Sequence, residues 1–192
     1  MDLLVLGPQG AGKGTQAKRI SEEFGIPHIS TGDMFRAAVA AGTDLGRIVE
    51  PLTARGILVP DEVTIALIRE RLAEDDAREG FVLDGFPRNL AQAEALDELL
   101  AGIGRGLDAI LFFDVPDEVG TERALRRARI EGRTDDTREV IARRLATYHS
   151  ETEPIVEHYR ATGKLVPLHA GRTIEEVWAE ISSSLQRLDP VA

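Results

Sequence analysis

The stretch Leu3-Leu4-Val5-Leu6-Gly7-Pro8-Gln9-Gly10-Ala11-Gly12-Lys13-Gly14-Thr15 constrains this chain more than any other. A short apolar run of strand length enters a glycine-rich loop with a lysine and a threonine. Residues Gln16 to Phe24 then continue with apolar positions at helical spacing. Strand, loop and helix in that order make an anion site, because the helix N-terminus faces the loop with unpaired N–H groups. Glycines let successive backbone N–H groups converge on phosphate oxygens, since no Cβ blocks the approach. The spacing Gly7-x4-Gly12-Lys13 matches a P-loop. One departure stands out: Gly14 sits where most P-loops carry Ser or Thr, and the hydroxyl arrives one residue later, at Thr15.

The rest of the chain alternates between short apolar runs and helical patterns. Strands are expected at Leu3–Leu6, His28–Ser30, Gly80–Asp84, Ala109–Asp114 and Lys164–His169. Helices are expected at Lys13–Phe24, Met34–Ala41, Asp44–Arg55, Asp61–Glu74, Leu90–Leu100, Asp117–Ala128, Thr137–Arg160 and Thr173–Leu188. Pro60-Asp61 and Pro116-Asp117 put a capping acid after a proline, and Asp136…Glu139 and Thr173…Glu176 have capping-box spacing. Such alternation implies an α/β fold, a parallel sheet covered by helices on both faces. Ligands in these folds bind beyond the C-terminal ends of the strands. Gly7, Thr31, Asp84 and Asp114–Pro116 fall there.

A length of 192 residues suits one domain with small insertions, and 43% hydrophobic with 29% charged residues is an ordinary globular balance. With no cysteine, disulfides, thiolate zinc sites and a cysteine nucleophile are excluded. No apolar run approaches ~18 residues, so a cytoplasmic protein without a membrane partner is expected. The formal charge of −10 argues against nucleic-acid binding. Arginines nevertheless cluster at 123, 126, 127, 129, 133, 138, 143 and 144, and a local basic cluster on an acidic protein suits a small polyanion. Solvated helix faces account for any single one of them equally well.

Two further strand ends carry chemistry. Ser30-Thr31-Gly32-Asp33-Met34-Phe35-Arg36 follows the second strand, where Thr31 and Asp33 either cap the next helix or, with Arg36, meet a ligand. Asp84-Gly85-Phe86-Pro87-Arg88 follows the third, and Arg88 and Gln92 share a helix face. An arginine at a buried strand end demands an anion, either carboxylate or phosphate.

Gly-x-x-Gly-x-Gly-Lys-Gly-Thr, Ser-Thr-Gly-Asp-Met-x-Arg, Asp-Gly-Phe-Pro-Arg and Arg-Thr-Asp-Asp together resemble the adenylate kinases, within the nucleoside monophosphate kinase family of P-loop proteins, over nearly the full chain. The resemblance implies a five-stranded parallel core (1–29, 60–127 and 137–192), a helical AMP-binding insertion (30–59) and a lid (128–136). It implies reversible Mg²⁺-dependent transfer, ATP + AMP = 2 ADP, by a monomer. On this reading Gly10, Ala11, Gly12, Lys13, Gly14 and Thr15 wrap the ATP phosphates, Arg123 stacks on its adenine, Arg127 reaches its phosphates and Arg172 lies near its base. Thr31, Arg36, Ile57, Leu58, Val59, Gly85, Phe86, Pro87, Arg88 and Gln92 form the AMP site, and Arg133 and Arg144 close on the transferred groups, with Asp135 and Asp136 orienting the lid. Only Ala128–Gly132 separate Arg127 from Arg133, so the lid is expected to be a short loop without zinc.

The attacking AMP phosphate has a second pKa near ~6, so no general base is required. The obstacle is repulsion between polyanions, which Lys13, Arg88, Arg127, Arg133 and Arg144 can neutralise. With Gly14 lacking a hydroxyl, Mg²⁺ is expected on phosphates and waters, with Asp84 either ordering those waters or pairing with an arginine. His28, His149, His158 and His169 form no metal pattern. A UMP/CMP kinase of the same fold is the alternative, against which Thr31 and Gln92 speak. A GTPase lacks its Asn-Lys-x-Asp tetrapeptide here, and a catalytically silent nucleotide-binding module would not need the full arginine set.

Overall fold

Leu3, Leu4, Val5 and Leu6 are buried almost completely, and this run becomes the central strand of the molecule. The computed structural model describes residues 1–188; residues 189–192, the end of the expected core segment, lie outside the described residues. Five strands, β1 (Asp2–Leu6), β2 (His28–Ser30), β3 (Phe81–Asp84), β4 (Ala109–Asp114) and β5 (Leu165–His169), form one sheet in the order β2-β3-β1-β4-β5. Every pairing is parallel, with Leu3 opposite both Val82 and Ala109.

Side chains alternate across a strand, so β1 serves two cores. Leu3 and Val5 pack with Ala17 and Ile20 of α1 (Lys13–Phe24) and with Val177 and Ile181 of α9 (Ile174–Leu185). Leu4 and Leu6 face the other way. They join Ile68 of α4 (Asp61–Leu72), Leu96 of α5 (Leu90–Gly102) and Ile155 and Tyr159 of α8 (Pro154–Arg160). Truncating a leucine of this kind to alanine removes roughly 2–5 kcal/mol. A third, small core of Phe35, Val49 and Val59 lies within α2 (Thr31–Ala40), α3 (Asp44–Thr53) and the segment that follows. Val63 and Leu67 of α4 pack against it, so the helical insertion is rooted in the main body.

Several local expectations are corrected. Helix α2 begins at Thr31, because the Ser30 hydroxyl caps it by accepting from the Asp33 N–H at 3.3 Å; neither Thr31 nor Asp33 is the cap. Asp61 and Asp117 lie in the first turns of α4 and α6 (Asp117–Glu131), with Pro60 and Pro116 at the cap positions and no side-chain cap bond. Asp136 caps nothing; Thr137 caps α7 (Arg138–Thr147) instead. The Thr173…Glu176 capping box does form at α9. The expected long helix Thr137–Arg160 is interrupted by a π-helical turn at Tyr148–Thr152, where the Glu153 N–H reaches back to the Tyr148 carbonyl at 2.8 Å. Helix α6 runs on to Glu131 and stops at Gly132 in the left-handed region. The residues between Arg127 and Gly132 are therefore helical, leaving a loop only at 132–137.

Candidate active site

The glycine loop leaves the C-terminal end of β1 at the centre of the sheet and enters α1 with Gly12 in the left-handed region, φ 89°. No side chain caps α1 and no acid sits in its first turn, so its leading N–H groups face outward unneutralised. Gly10 is required for another reason: a Cβ there would lie 1.9 Å from the Gly120 carbonyl oxygen. Gly120 in turn packs on the Gln9 carbonyl, and a Cβ on it would come within 2.8 Å. Helix α6 thus buttresses the loop through two facing glycines. Lys13 donates to the carbonyls of Gly7 (2.8 Å) and Pro8 (2.9 Å), folding its ammonium over the loop. Burial pulls this ammonium down to about 8; Asp84 opposes the shift, and Arg88 and Arg127 add to it. Ala11 is buried, Gly14 lies on the first turn of α1 and Thr15 is exposed there. A Cβ on Gly14 would sit in ordinary contact, 3.5 Å from Asp84 Oδ2.

Asp84 ends β3. Burial acts to raise its pKa, but His28, Lys13 and Arg88 outweigh it and hold the carboxylate ionised below its usual range. His28 Nε2 stands 3.6 Å from Asp84 Oδ2. Next along the chain, the Thr31 hydroxyl donates to the Gly85 carbonyl at 2.9 Å, tying the start of α2 to the turn after β3. Gly85, at φ 81°, leaves no room for a Cβ, which would meet Thr31 Oγ1 at 2.6 Å. Arg88 is fixed at three points. Its Nε donates to the Gly85 carbonyl (2.7 Å), its N–H to Gln92 Oε1 (2.8 Å), and its carbonyl accepts from the Thr152 hydroxyl (2.7 Å). Burial first, then Arg144, draws the Arg88 guanidinium below its ordinary pKa, as expected of a cation held beside other cations. Arg36 pairs with Asp33 at 2.6 Å. Phe86 and Pro87 are buried in the turn, while Val59 is buried, Leu58 half-buried and Ile57 exposed at the edge of the insertion.

The fully buried carboxylate of Asp136 organises the lid side. It accepts from Gln9 Nε2 (2.8 Å), Arg127 (2.9 Å) and Arg144, while Asp135 accepts from Arg144 at 3.0 Å. Arg144 also donates to the Thr53 carbonyl (2.9 Å) and Arg143 to that of Arg55 (2.8 Å), so α7 touches the end of α3. Lys13 lies on Gly7 and Pro8, Arg88 on Gly85 at the end of β3, and Arg127 and Arg144 meet at Asp136, which also holds Gln9 of the glycine loop, so the four cations border one cleft. Three expected residues are engaged elsewhere. Arg133 turns to Glu131 at 2.6 Å, and Arg172 pairs with Glu180. Arg123 donates to the carbonyls of Ala170, Gly171 and Arg172. Sequence reasoning missed Gly120, Gln9 and Thr152, and read Asp61 only as a cap; their partners lie far along the chain, where motif spacing carries no signal.

A glycine cradle at the central strand of a five-stranded parallel sheet, facing a row of half-buried cations, defines a P-loop phosphotransferase. A family model described as Adenylate kinase matches residues 5–164. The chain is 50% identical to an adenylate kinase of Thermobifida fusca, over 97% of this chain and 98% of that one. It is 48% identical to one of Parvibaculum lavamentivorans (96% and 92% covered) and 42% identical to one of Archaeoglobus fulgidus (98% and 99%). The chain belongs to the adenylate kinase family and is a nucleotide-binding phosphotransferase; the UMP/CMP kinase and silent-module alternatives are not favoured. Among the described residues no helix is long and apolar enough to cross a membrane.

Proposed function

We propose that the chain transfers the γ-phosphoryl group of ATP to AMP, reversibly, giving two ADP. The placing of Lys13 on the glycine loop, Arg88 at the turn after β3, and Arg127 and Arg144 on the Asp136 carboxylate that also holds Gln9 carries this reading. Four cations at one cleft oppose the repulsion that keeps two polyanions apart and stabilise charge on the group in transfer. Gly10 to Thr15 hold the donor phosphates through backbone N–H groups and Lys13, with Arg127 beside them. Arg123 offers a guanidinium face to the donor base, and Arg172 flanks it. On the acceptor side Arg36 and Arg88 hold the AMP phosphate, and Arg133 and Arg144 close over it. Thr31, Gln92, the turn Gly85-Phe86-Pro87 and the edge Ile57-Leu58-Val59 enclose its nucleoside.

The AMP phosphate, with a second pKa of about 6, is already the nucleophile at neutral pH, so the site needs orientation and not a base. Asp84 is an ionised hard-oxygen donor facing the first turn of α1, which suits a magnesium ion carried on the nucleotide phosphates and bound through water. That ion would draw charge from the β- and γ-phosphates when bound. The segments 30–59 and 128–136 act as the acceptor-binding insertion and the lid on a core of 1–29, 60–127 and 137–192. Closing them assembles the arginines only around bound nucleotides and keeps water from the γ-phosphoryl group. The protein acts as a monomer in the cytoplasm, where ATP, AMP and ADP share one nucleotide pool. The formal charge of −10 favours small polyanions over nucleic acid.

The test is ADP formation from Mg·ATP with AMP, UMP, CMP or GMP as acceptor. Strong preference for AMP is expected. Preference for a pyrimidine nucleotide, or turnover without an acceptor, would contradict the reading.

A further inference from the structure

Gln92 is 2% exposed and belongs to a relay that begins on another helix. Asp61 Oδ1, in the first turn of α4, accepts from Gln92 Nε2 at 2.7 Å and from Asn89 Nδ2 at 2.9 Å. Asn89 Oδ1 caps α5 by accepting from the Gln92 N–H (2.9 Å), while Gln92 Oε1 accepts from the Arg88 N–H (2.8 Å). A carboxylate can only accept and a peptide N–H can only donate, so neither amide can turn over without setting like against like. The sense of the Gln92 amide is therefore imposed from both ends.

Gln92 keeps one unused N–H and one unused oxygen lone pair after these bonds. A fixed donor–acceptor pair is complementary to adenine, whose N6 amino donor lies beside the N1 acceptor. A 6-oxopurine reverses both groups, presenting an O6 acceptor beside an N1–H donor, and only an amide free to turn over could answer it. We infer that Asp61 is a specificity-determining positioning residue: by holding the Gln92 amide in one sense, it makes the acceptor site read a 6-aminopurine and reject a 6-oxopurine. This inference rests on the proposed role of Gln92 at the acceptor nucleoside. Asp61 touches no nucleotide in this account and acts through Gln92.

The experiment compares wild type, Asp61→Ala, Asp61→Asn and Gln92→Ala, with AMP or IMP as acceptor at saturating Mg·ATP. Asp61→Ala should raise KM for AMP about tenfold or more, with kcat and KM for ATP little changed, and should lower the AMP-over-IMP preference by a similar factor. Asp61→Asn keeps an acceptor oxygen and should stay near wild type. A role limited to negative charge at the start of α4 would make the Ala and Asn variants alike, and that result overturns the inference. So does an unchanged AMP/IMP ratio in Asp61→Ala while Gln92→Ala loses it. If Gln92→Ala itself leaves both KM and the ratio unchanged, the assignment of Gln92 to the base fails instead. A second readout needs no variant to fold: in ¹⁵N-labelled wild type, a Gln92 side-chain amide proton should exchange slowly, and fast exchange of both protons overturns the proposal.

Discussion

The two halves of the cleft are built from different materials. The donor half is backbone: Gly10 lies against Gly120, the uncapped start of α1 faces the loop, and Lys13 folds over its own carbonyls. The acceptor half is side chain: Thr31 to Gly85, Asp61 to Gln92, Gln92 to Arg88 and Thr152 to Arg88. Backbone N–H groups recognise phosphate, which every nucleotide shares. Fixed side-chain donors and acceptors recognise a base. The Arg123 guanidinium is spent on the carbonyls of residues 170–172, so what it still offers a donor base is a stacking face, which any base can use. The division predicts a donor half tolerant of base identity and an acceptor half that is strict.

The largest expected effect is that of Arg88→Ala, which removes a cation from the transfer point. ADP formation should fall by ~10³-fold or more, with ATP binding by titration calorimetry close to wild type. Gly10→Ala probes the opposite half. Its Cβ would strike the Gly120 carbonyl at 1.9 Å on a backbone at φ 80°, so KM for ATP should rise by roughly 10²-fold while KM for AMP changes much less. Gly14→Ala is the matched control. Its Cβ meets only Asp84 Oδ2 at 3.5 Å, and the fold should tolerate it, as a thermal melt would report.

A smaller effect is expected from pH. In the free protein Lys13 titrates at about 8, and bound polyphosphate favours its charged form, raising that value. Between the free and bound values, binding takes up a proton. ATP affinity should then be level below the free value and decline above it, by up to about tenfold per pH unit, in a calorimetric pH series. Lys13→Arg should abolish the decline. Smallest is Thr152→Val, which leaves the Arg88 carbonyl without the hydroxyl; kcat should drop by about three- to tenfold with KM for ATP unchanged.

The donor half was legible because its physics is local. Gly7, Gly10, Gly12 and Lys13 stand within seven positions, and the strand and helix beside them follow from apolar spacing. Gly120 was not legible, since the reason for it is a carbonyl on a loop more than a hundred residues earlier. The expected five-stranded parallel sheet is present in full: β1, β3 and β4 are short apolar runs buried on both faces, and the less buried β2 and β5 close its two edges. The π-helical turn at Tyr148–Thr152 escaped detection because residue types there suit an α-helix equally well, and the turn is what precedes the Thr152 contact with Arg88. Asp136 has the spacing of a cap. Its burial among Gln9, Arg127 and Arg144 depends on three separate segments meeting, and Thr137 was free to take the cap.

The contrast between the halves is tested most directly by a kcat/KM matrix in which donor and acceptor bases are varied independently. ATP, GTP, CTP and UTP would each be paired with AMP, and AMP, IMP, GMP, UMP and CMP with ATP. A wider spread is expected along the acceptor series than along the donor series. A donor series as steep as the acceptor series, or steeper, would contradict it.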